Sequence, residues 1–214
     1  MLVNLLTTEE SRIDKETHKY RFKVQLLTKR LLAITNWWTI KNFDDDLTAA
    51  NLNNKNIIGH FGASTGGAAA ISAAAALQQK HLIKAIVSRG GRPDLSEPSA
   101  MKCISIPILF LVGSKDDAGI LGMHQKVIKQ LSMVNENDRK LVLIQGAGHL
   151  FEEPGTLDEV ALFATCWFKQ HLSAAAMVDD KNKKSLNHKN NDDNNHNCYQ
   201  HRVFFLLSRS ALAS

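Results

Sequence analysis

The segment from Asn56 to Leu77 constrains this chain more than any other part of it. A short apolar run, Asn56-Ile57-Ile58-Gly59-His60-Phe61, is followed almost at once by Ala68-Ala69-Ala70-Ile71-Ser72-Ala73-Ala74-Ala75-Ala76-Leu77. The first reads as a strand and the second, rich in the strongest helix former, as a helix. Only Gly62-Ala63-Ser64-Thr65-Gly66-Gly67 lies between them, so strand turns into helix within one tight bend. Similar units follow. Ala85-Ile86-Val87-Ser88 stops at Arg89-Gly90-Gly91-Arg92-Pro93. Ile106 to Val112 is nearly all apolar, as a strand buried on both faces should be, and precedes a helix predicted over 120–131. Leu141-Val142-Leu143-Ile144 ends at Gly146 and leads to a helix over 157–172, with Val160, Leu162, Phe163, Trp167, Phe168 and Leu172 apolar. Strands alternating with helices predict an α/β fold, a mostly parallel sheet with helices on both faces. Ahead of these units we expect a short strand at Leu2–Leu6 and a charged connector from Glu9 to His18. A long amphipathic helix from Tyr20 to Ile40 and a solvated Asn- and Asp-rich loop from Asn42 to Lys55 complete the reading.

Composition removes several function classes. With 44% hydrophobic residues in 214, the chain can bury a core. No run approaches the roughly 18–20 consecutive apolar residues of a membrane span. The +5 net charge is spread along the chain, and the densest basic group, Lys181, Lys183 and Lys184, adjoins Asp179 and Asp180; no nucleic-acid partner is expected. Cys103, Cys166 and Cys198 are far apart and odd in number, which predicts reduced thiols in the cytoplasm. Met1-Leu2-Val3-Asn4-Leu5-Leu6 lacks the basic and long apolar regions of a signal peptide. After Ala175 the composition changes, dividing the chain into a domain at 1–174 and a polar low-complexity tail at 175–214. The tail is expected to be disordered from Asp179 to Arg202. Its His188, His196 and His201 are irregularly spaced and read as solvated, so no metal and no cofactor is expected.

The chemistry centres on Gly62-Ala63-Ser64-Thr65-Gly66. A Gly-x-Ser-x-Gly pentapeptide arises by chance often enough to mean little alone, but its place at a strand-to-helix turn is the setting the chemistry requires. Such a turn forces the serine into a strained conformation that lifts its hydroxyl above the sheet edge, and small flanking residues avoid collision. The amide of Thr65 can then donate to the oxyanion formed when Ser64 attacks a carbonyl. A serine needs a base and an orienting carboxylate, expected later in the chain and each after a strand. Asp116, three residues beyond Gly113, fits the carboxylate, with Asp117 as the neighbouring alternative. His149, in Gly146-Ala147-Gly148-His149 just after the last strand, fits the base. His60 falls inside a strand, and His18, His81, His124 and His171 on or near helices, where solvated or packed roles are expected. Arg89 and Arg92 follow a strand at the edge where open α/β sheets bind ligands. They are candidates for holding an anionic substrate group, although tying loops to carbonyls or a carboxylate is the favoured role. Glu152 and Glu153 read as loop or helix-entry charges.

Three separated stretches carry a family resemblance: Gly62 to Gly66, Val87-Ser88-Arg89-Gly90-Gly91-Arg92-Pro93-Asp94, and Gly148-His149-Leu150-Phe151-Glu152-Glu153-Pro154-Gly155. Together they resemble the dienelactone-hydrolase-like branch of the α/β-hydrolases, most nearly a group often fused to a phosphoribosyltransferase domain. The resemblance covers about residues 2–172. It implies an eight-stranded, mostly parallel sheet and an ester- or lactone-type hydrolase, with Ser64 as nucleophile, Asp116 as orienting acid and His149 as base. The founding dienelactone hydrolases carry cysteine at the position of Ser64, so their substrate does not transfer.

The chain departs from the family in one respect. No His-Gly dipeptide, which carries the second oxyanion amide there, occurs in it. By resemblance Met1 falls within the fourth strand, so we expect a fold lacking its first strands, an apparently N-terminally truncated domain with an open strand edge. Two functions follow. The first is a serine hydrolase acting on a small ester or lactone through an acyl-enzyme, with acyl transfer to another acceptor a variant of the same chemistry. The alternative is a catalytically silent hydrolase-fold remnant serving as a binding or interaction module, possibly beside a phosphoribosyltransferase partner.

Overall fold

The structure, a computed structural model, describes residues 1–42 and 58–186, with side chains at 1–41 and 58–172. Its elements in chain order are α1 Thr8–Thr17, α2 Val24–Asn42, β1 Ile58–Ala63, α3 Thr65–Leu77 and β2 Ile83–Arg89. They continue with α4 Pro98–Cys103, β3 Ile108–Gly113, α5 Ala118–Gln130, β4 Arg139–Ile144 and α6 Thr156–Leu186. Among the described residues the sheet has four strands, ordered β1-β2-β3-β4, and every pairing is parallel. Parallel neighbours joined through helices put every strand's C-terminal end at one edge, where the candidate residues lie.

Strand periodicity sorts the core into two halves. Ile86, Ile108 and Phe110 pack with α2, α3 and α5, whereas Ala85, Val87, Leu109 and Leu111 pack with Val160, Ala164, Trp167 and Phe168 of α6. β1 and β3 are buried along their whole length, matching the apolar runs that predict them. The alanines of α3 let it lie close: Ala68, Ala69, Ala73 and Ala74 have no exposed surface.

The start of the chain differs from the sequence reading. Leu2–Leu6 is not a strand. The Leu6 N–H donates to Asn4 Oδ1 at 3.0 Å and the Leu5 carbonyl accepts from Arg30 Nη1 at 2.7 Å, so side chains take the bonds a strand neighbour would satisfy. Leu5 and Leu6, consecutive and both buried, share the core with Leu27 and Leu31, an arrangement that strand alternation forbids. The charged connector is instead helix α1. Thr7 and Glu10 form a reciprocal capping box, Glu10 N–H to Thr7 Oγ1 at 3.2 Å and Thr7 N–H to Glu10 Oε2 at 2.9 Å. The Thr7-x-x-Glu10 spacing announces it in the sequence. Glu10 is bound by Arg30 as well, which, with the Thr7 amide, holds its carboxyl down at about 2. α4, entered at Pro98, is a further element without a counterpart in the sequence reading. The last helix runs through Leu186, beyond the compositional boundary at Ala175, so the segment expected to be disordered begins as helix. Of the loop expected from Asn42 to Lys55, Asn42 closes α2 instead; the remainder of that loop and the rest of the tail, with its three histidines and Cys198, lie outside the described residues.

His60 sits on β1 with no exposed surface, its Nε2 3.3 Å from Thr35 Oγ1. The Thr35 hydroxyl donates to Leu31 O at 2.8 Å, so His60 Nε2–H is the donor in that pair. Burial pushes the imidazole down to about 4 from an ordinary 6.5. Because the unfolded chain then binds a proton that the folded one refuses, stability is full above pH 6.5 and falls as pH drops toward 4. The loss should reach about 3 kcal/mol by pH 4 from this residue alone. An NMR titration checks this: the His60 ring resonances should not move between pH 7.5 and 5, and a midpoint above 6 would contradict the assignment.

Candidate active site

Ser64 occupies the bend between β1 and α3 with φ 51° and ψ −125°, a conformation L residues rarely adopt. Such strain costs on the order of 1–3 kcal/mol and persists only where neighbours over-determine it. They do so here. The Ser64 N–H donates to Arg89 O at 3.0 Å, and the Ser64 carbonyl accepts from Gly67 N–H at 3.0 Å and Arg92 N–H at 3.2 Å. A Cβ on Gly62 would strike the Gly66 carbonyl and come within 2.6 Å of the Gly67 nitrogen, so that position tolerates no side chain. The second close approach falls on Gly67, one residue beyond the pentapeptide, against Ser88 Oγ. Ser64 is half-buried at the rim while Thr65 behind it is buried. Thr65 opens the helix, so its amide is one of those that helix geometry leaves without an intrahelical acceptor.

The candidate acid and base, Asp116 and His149, come from adjacent loops after β3 and β4. His149 Nδ1 lies 3.0 Å from Asp116 Oδ2. An ionised carboxylate only accepts, so Nδ1 carries the proton and Nε2 is left as the basic nitrogen. The Asp116 side chain is 4% exposed and that of His149 37%, which seats the carboxylate in protein and leaves the imidazole open to solvent. Asp116 Oδ1 accepts from the Asp117 amide at 2.8 Å. Asp117 caps α5 instead, its Oδ1 accepting from Gly119 N–H at 2.7 Å; the two candidates thus have different partners.

Backbone contacts stitch these loops together: Lys115 N–H to Ala147 O at 2.9 Å, Ser114 N–H to Ile144 O at 3.0 Å, and Gly146 N–H to Ser114 Oγ at 2.8 Å. Gly113 makes the contact possible, because a Cβ there would strike the Ala147 carbonyl and lie 2.6 Å from that of Gly148. From β4 the base loop folds back across the sheet edge, and His149 Cε1 is 3.7 Å from where a Cβ on Gly90 would sit. Gly90 directly follows Arg89, whose carbonyl holds Ser64. Sequence reasoning overlooked Ser114 and Gly113; a Gly-Ser pair closing an all-apolar strand is the signal that could have found them.

The arginines make the tethering contacts. Arg89 Nη1 donates to the Leu150 carbonyl at 3.4 Å, and its guanidinium lies 5.2 Å from the Phe151 ring centroid. Arg92 forms a two-pronged pair with Asp94, at 2.8 and 2.6 Å, which holds the Asp94 carboxyl below the usual range. Their backbones bear more on the site than their side chains, since both positions grip Ser64. The other described histidines have separate roles. His18 and His81 end helices in left-handed conformations. His124 is buried edge-on to Phe110, 5.3 Å between centroids, with burial lowering its pKa. His171 packs tilted against Trp167, 4.2 Å between centroids. Cys103 and Cys166 are free thiols. Among the described residues no group of His, Cys, Asp and Glu has the makings of a metal site, and no helix is long and apolar enough to cross a membrane.

Comparison with known proteins adds the following. No protein-family model matches the chain. In structure it is similar to a dienelactone hydrolase from Anabaena variabilis, with a TM-score of 0.63 and 41% identity, over 78% of this chain and 69% of that one. In sequence it is 38% identical over 172 residues to proteins from two strains of Mycobacterium tuberculosis, each named provisionally as a phosphoribosyl transferase. Those matches take in 80% of this chain but 34% of each relative, so the chain spans about a third of their length.

The tight seat of the base loop on Gly113 is open to test. Gly113→Ala should lower the unfolding free energy by about 1–3 kcal/mol, as overpacking against backbone does. A urea midpoint equal to that of the wild type would show that the loop has room.

Proposed function

The chain belongs to the dienelactone-hydrolase-like branch of the α/β-hydrolases, and from that premise we propose that it is a serine hydrolase acting on a small ester or lactone. The observation that carries the reading is the 3.0 Å contact between His149 Nδ1 and Asp116 Oδ2, at the sheet edge where the strained turn presents Ser64. A carboxylate sequestered from water, an imidazole aimed outward and a serine at a helix N-terminus have the chemistry that acyl transfer needs.

In the proposed reaction Ser64 Oγ attacks the acyl carbonyl as His149 Nε2 takes its proton. The charge on the former carbonyl oxygen is met by the Thr65 amide. Asp116 holds the imidazole in the correct tautomer and stabilises the imidazolium that forms. The tetrahedral species collapses, the ester C–O bond breaks, and His149 returns the proton to the departing alkoxide. From a lactone that alkoxide stays tethered to the acyl group. Water, deprotonated by His149, then cleaves the acyl-enzyme and releases the carboxylic acid with Ser64 restored.

Arg89 and Arg92 are not assigned to the substrate in this reading, because their side-chain contacts with Leu150 and Asp94 brace the loops. The phosphoribosyl transferase named in the mycobacterial relatives would occupy the part of their length outside the match, making such a domain the partner we propose for this one. The free Cys103 and Cys166 suit the reducing cytoplasm, where we place the protein.

A fluorophosphonate probe and a chromogenic small ester test the proposal. Wild type should be labelled and should turn over the ester, and Ser64→Ala should lose both. Asp116→Asn should lower kcat by on the order of 10³–10⁴ through the wrong imidazole tautomer. Well-folded wild type that takes no label would favour the silent binding module.

A further inference from the structure

Gly148-His149-Leu150-Phe151-Glu152-Glu153 ends in two neighbouring carboxylates that the structure treats differently. Glu152 is exposed, whereas Glu153 is half-buried and turned into the loop. Glu153 Oε1 accepts from the Gly148 N–H at 3.0 Å. Its other oxygen, Oε2, is buried without a hydrogen-bond partner. At the far end of the loop the Glu153 carbonyl accepts from Thr156 Oγ1 at 2.8 Å and from the Thr156 amide at 3.2 Å. Glu153 thus grips the base loop at both ends, its side chain at Gly148 and its backbone at the start of α6.

The grip falls at a telling place. Up to Ala147 the loop is anchored to the β3 side, through Gly146 to Ser114 and Ala147 to Lys115. Gly148 directly precedes His149; Glu153 holds its N–H, and its carbonyl accepts from the Phe151 N–H at 3.3 Å. As a contribution to folding this arrangement is poor, since a buried carboxylate oxygen left without a donor is destabilising. A group that folding alone does not favour is accounted for by the geometry it fixes. We propose that Glu153 is a positioning residue for His149. Through the Gly148 amide it sets the direction in which the imidazole leaves the chain, so that Nδ1 meets Asp116 and Nε2 faces the opening.

This inference rests on the role proposed for His149, so its test has one readout that needs no turnover. The decisive variant is Glu153→Met, which keeps the side chain's length, removes the acceptor and removes the orphan oxygen. Its Tm should equal or exceed that of the wild type, while kcat on the chromogenic ester falls ~10- to 100-fold, as a misplaced reacting group implies, with KM within about twofold. The low-field Nδ1–H proton resonance of His149, assigned by its disappearance in His149→Gln, should broaden or vanish. Glu153→Gln, which restores an acceptor, should recover most of both signals. Glu152→Ala, the exposed neighbour, should behave as wild type. The inference is overturned if Glu153→Met keeps kcat within twofold and the resonance intact, if Glu153→Gln is as impaired as Glu153→Met, or if Glu153→Met loses Tm together with activity. Should wild type show no esterase activity while the resonance responds as stated, the positioning role stands and the hydrolase reading falls.

Discussion

Everything at the candidate site depends on a backbone held where it would not rest by itself. Ser64 keeps its positive φ because three hydrogen bonds from the neighbouring β2 loop and the first turn of α3 grip both of its peptide groups. The two that cross to Arg89 and Arg92 exist because β1 and β2 are parallel and in register, Ala63 opposite Arg89. Register in turn is fixed by two buried faces, since a slip of one residue would exchange Ile86 for Val87 between the α3 side and the α6 side. The strained turn therefore draws on the packing of the whole sheet, and a serine in a free loop of the same sequence would have no reason to stand up.

Much of this was legible in advance. The four strand segments of the sheet, the alanine helix and the candidate order Ser, Asp, His each come from local pattern, and local pattern is what a sequence states most directly. The sequence favours Asp116 over Asp117 by position but leaves both open, because adjacent carboxylates differ only in which way the turn points them. Leu2–Leu6 misled for a related reason: an apolar run states that it is buried but not against what, and Arg30, twenty-five residues on, decided the matter. The capping box at Thr7 and Glu10 was readable and went unread.

The arginines illustrate a different limit. A charged side chain beside a binding edge invites a ligand-binding reading, yet Arg92 is matched by Asp94 two residues away and Arg89 lies along Phe151. What these positions contribute to the site is an amide and a carbonyl, atoms every residue has, so residue type cannot reveal them. Backbone roles of this kind emerge only once strands are placed side by side.

The base loop feeds directly into α6, and α6 supplies most of the helical side of one of the two cores, through Val160, Ala164, Trp167, Phe168 and Leu172. The same few residues, Phe151 to Thr156, are the last of the loop and the hinge of the helix. Opening that face of the protein would therefore displace His149, the candidate base, as well. Packing on the α6 side of the sheet and the placement of the His149 imidazole are therefore linked through one short stretch of chain, and local opening of one would disturb the other.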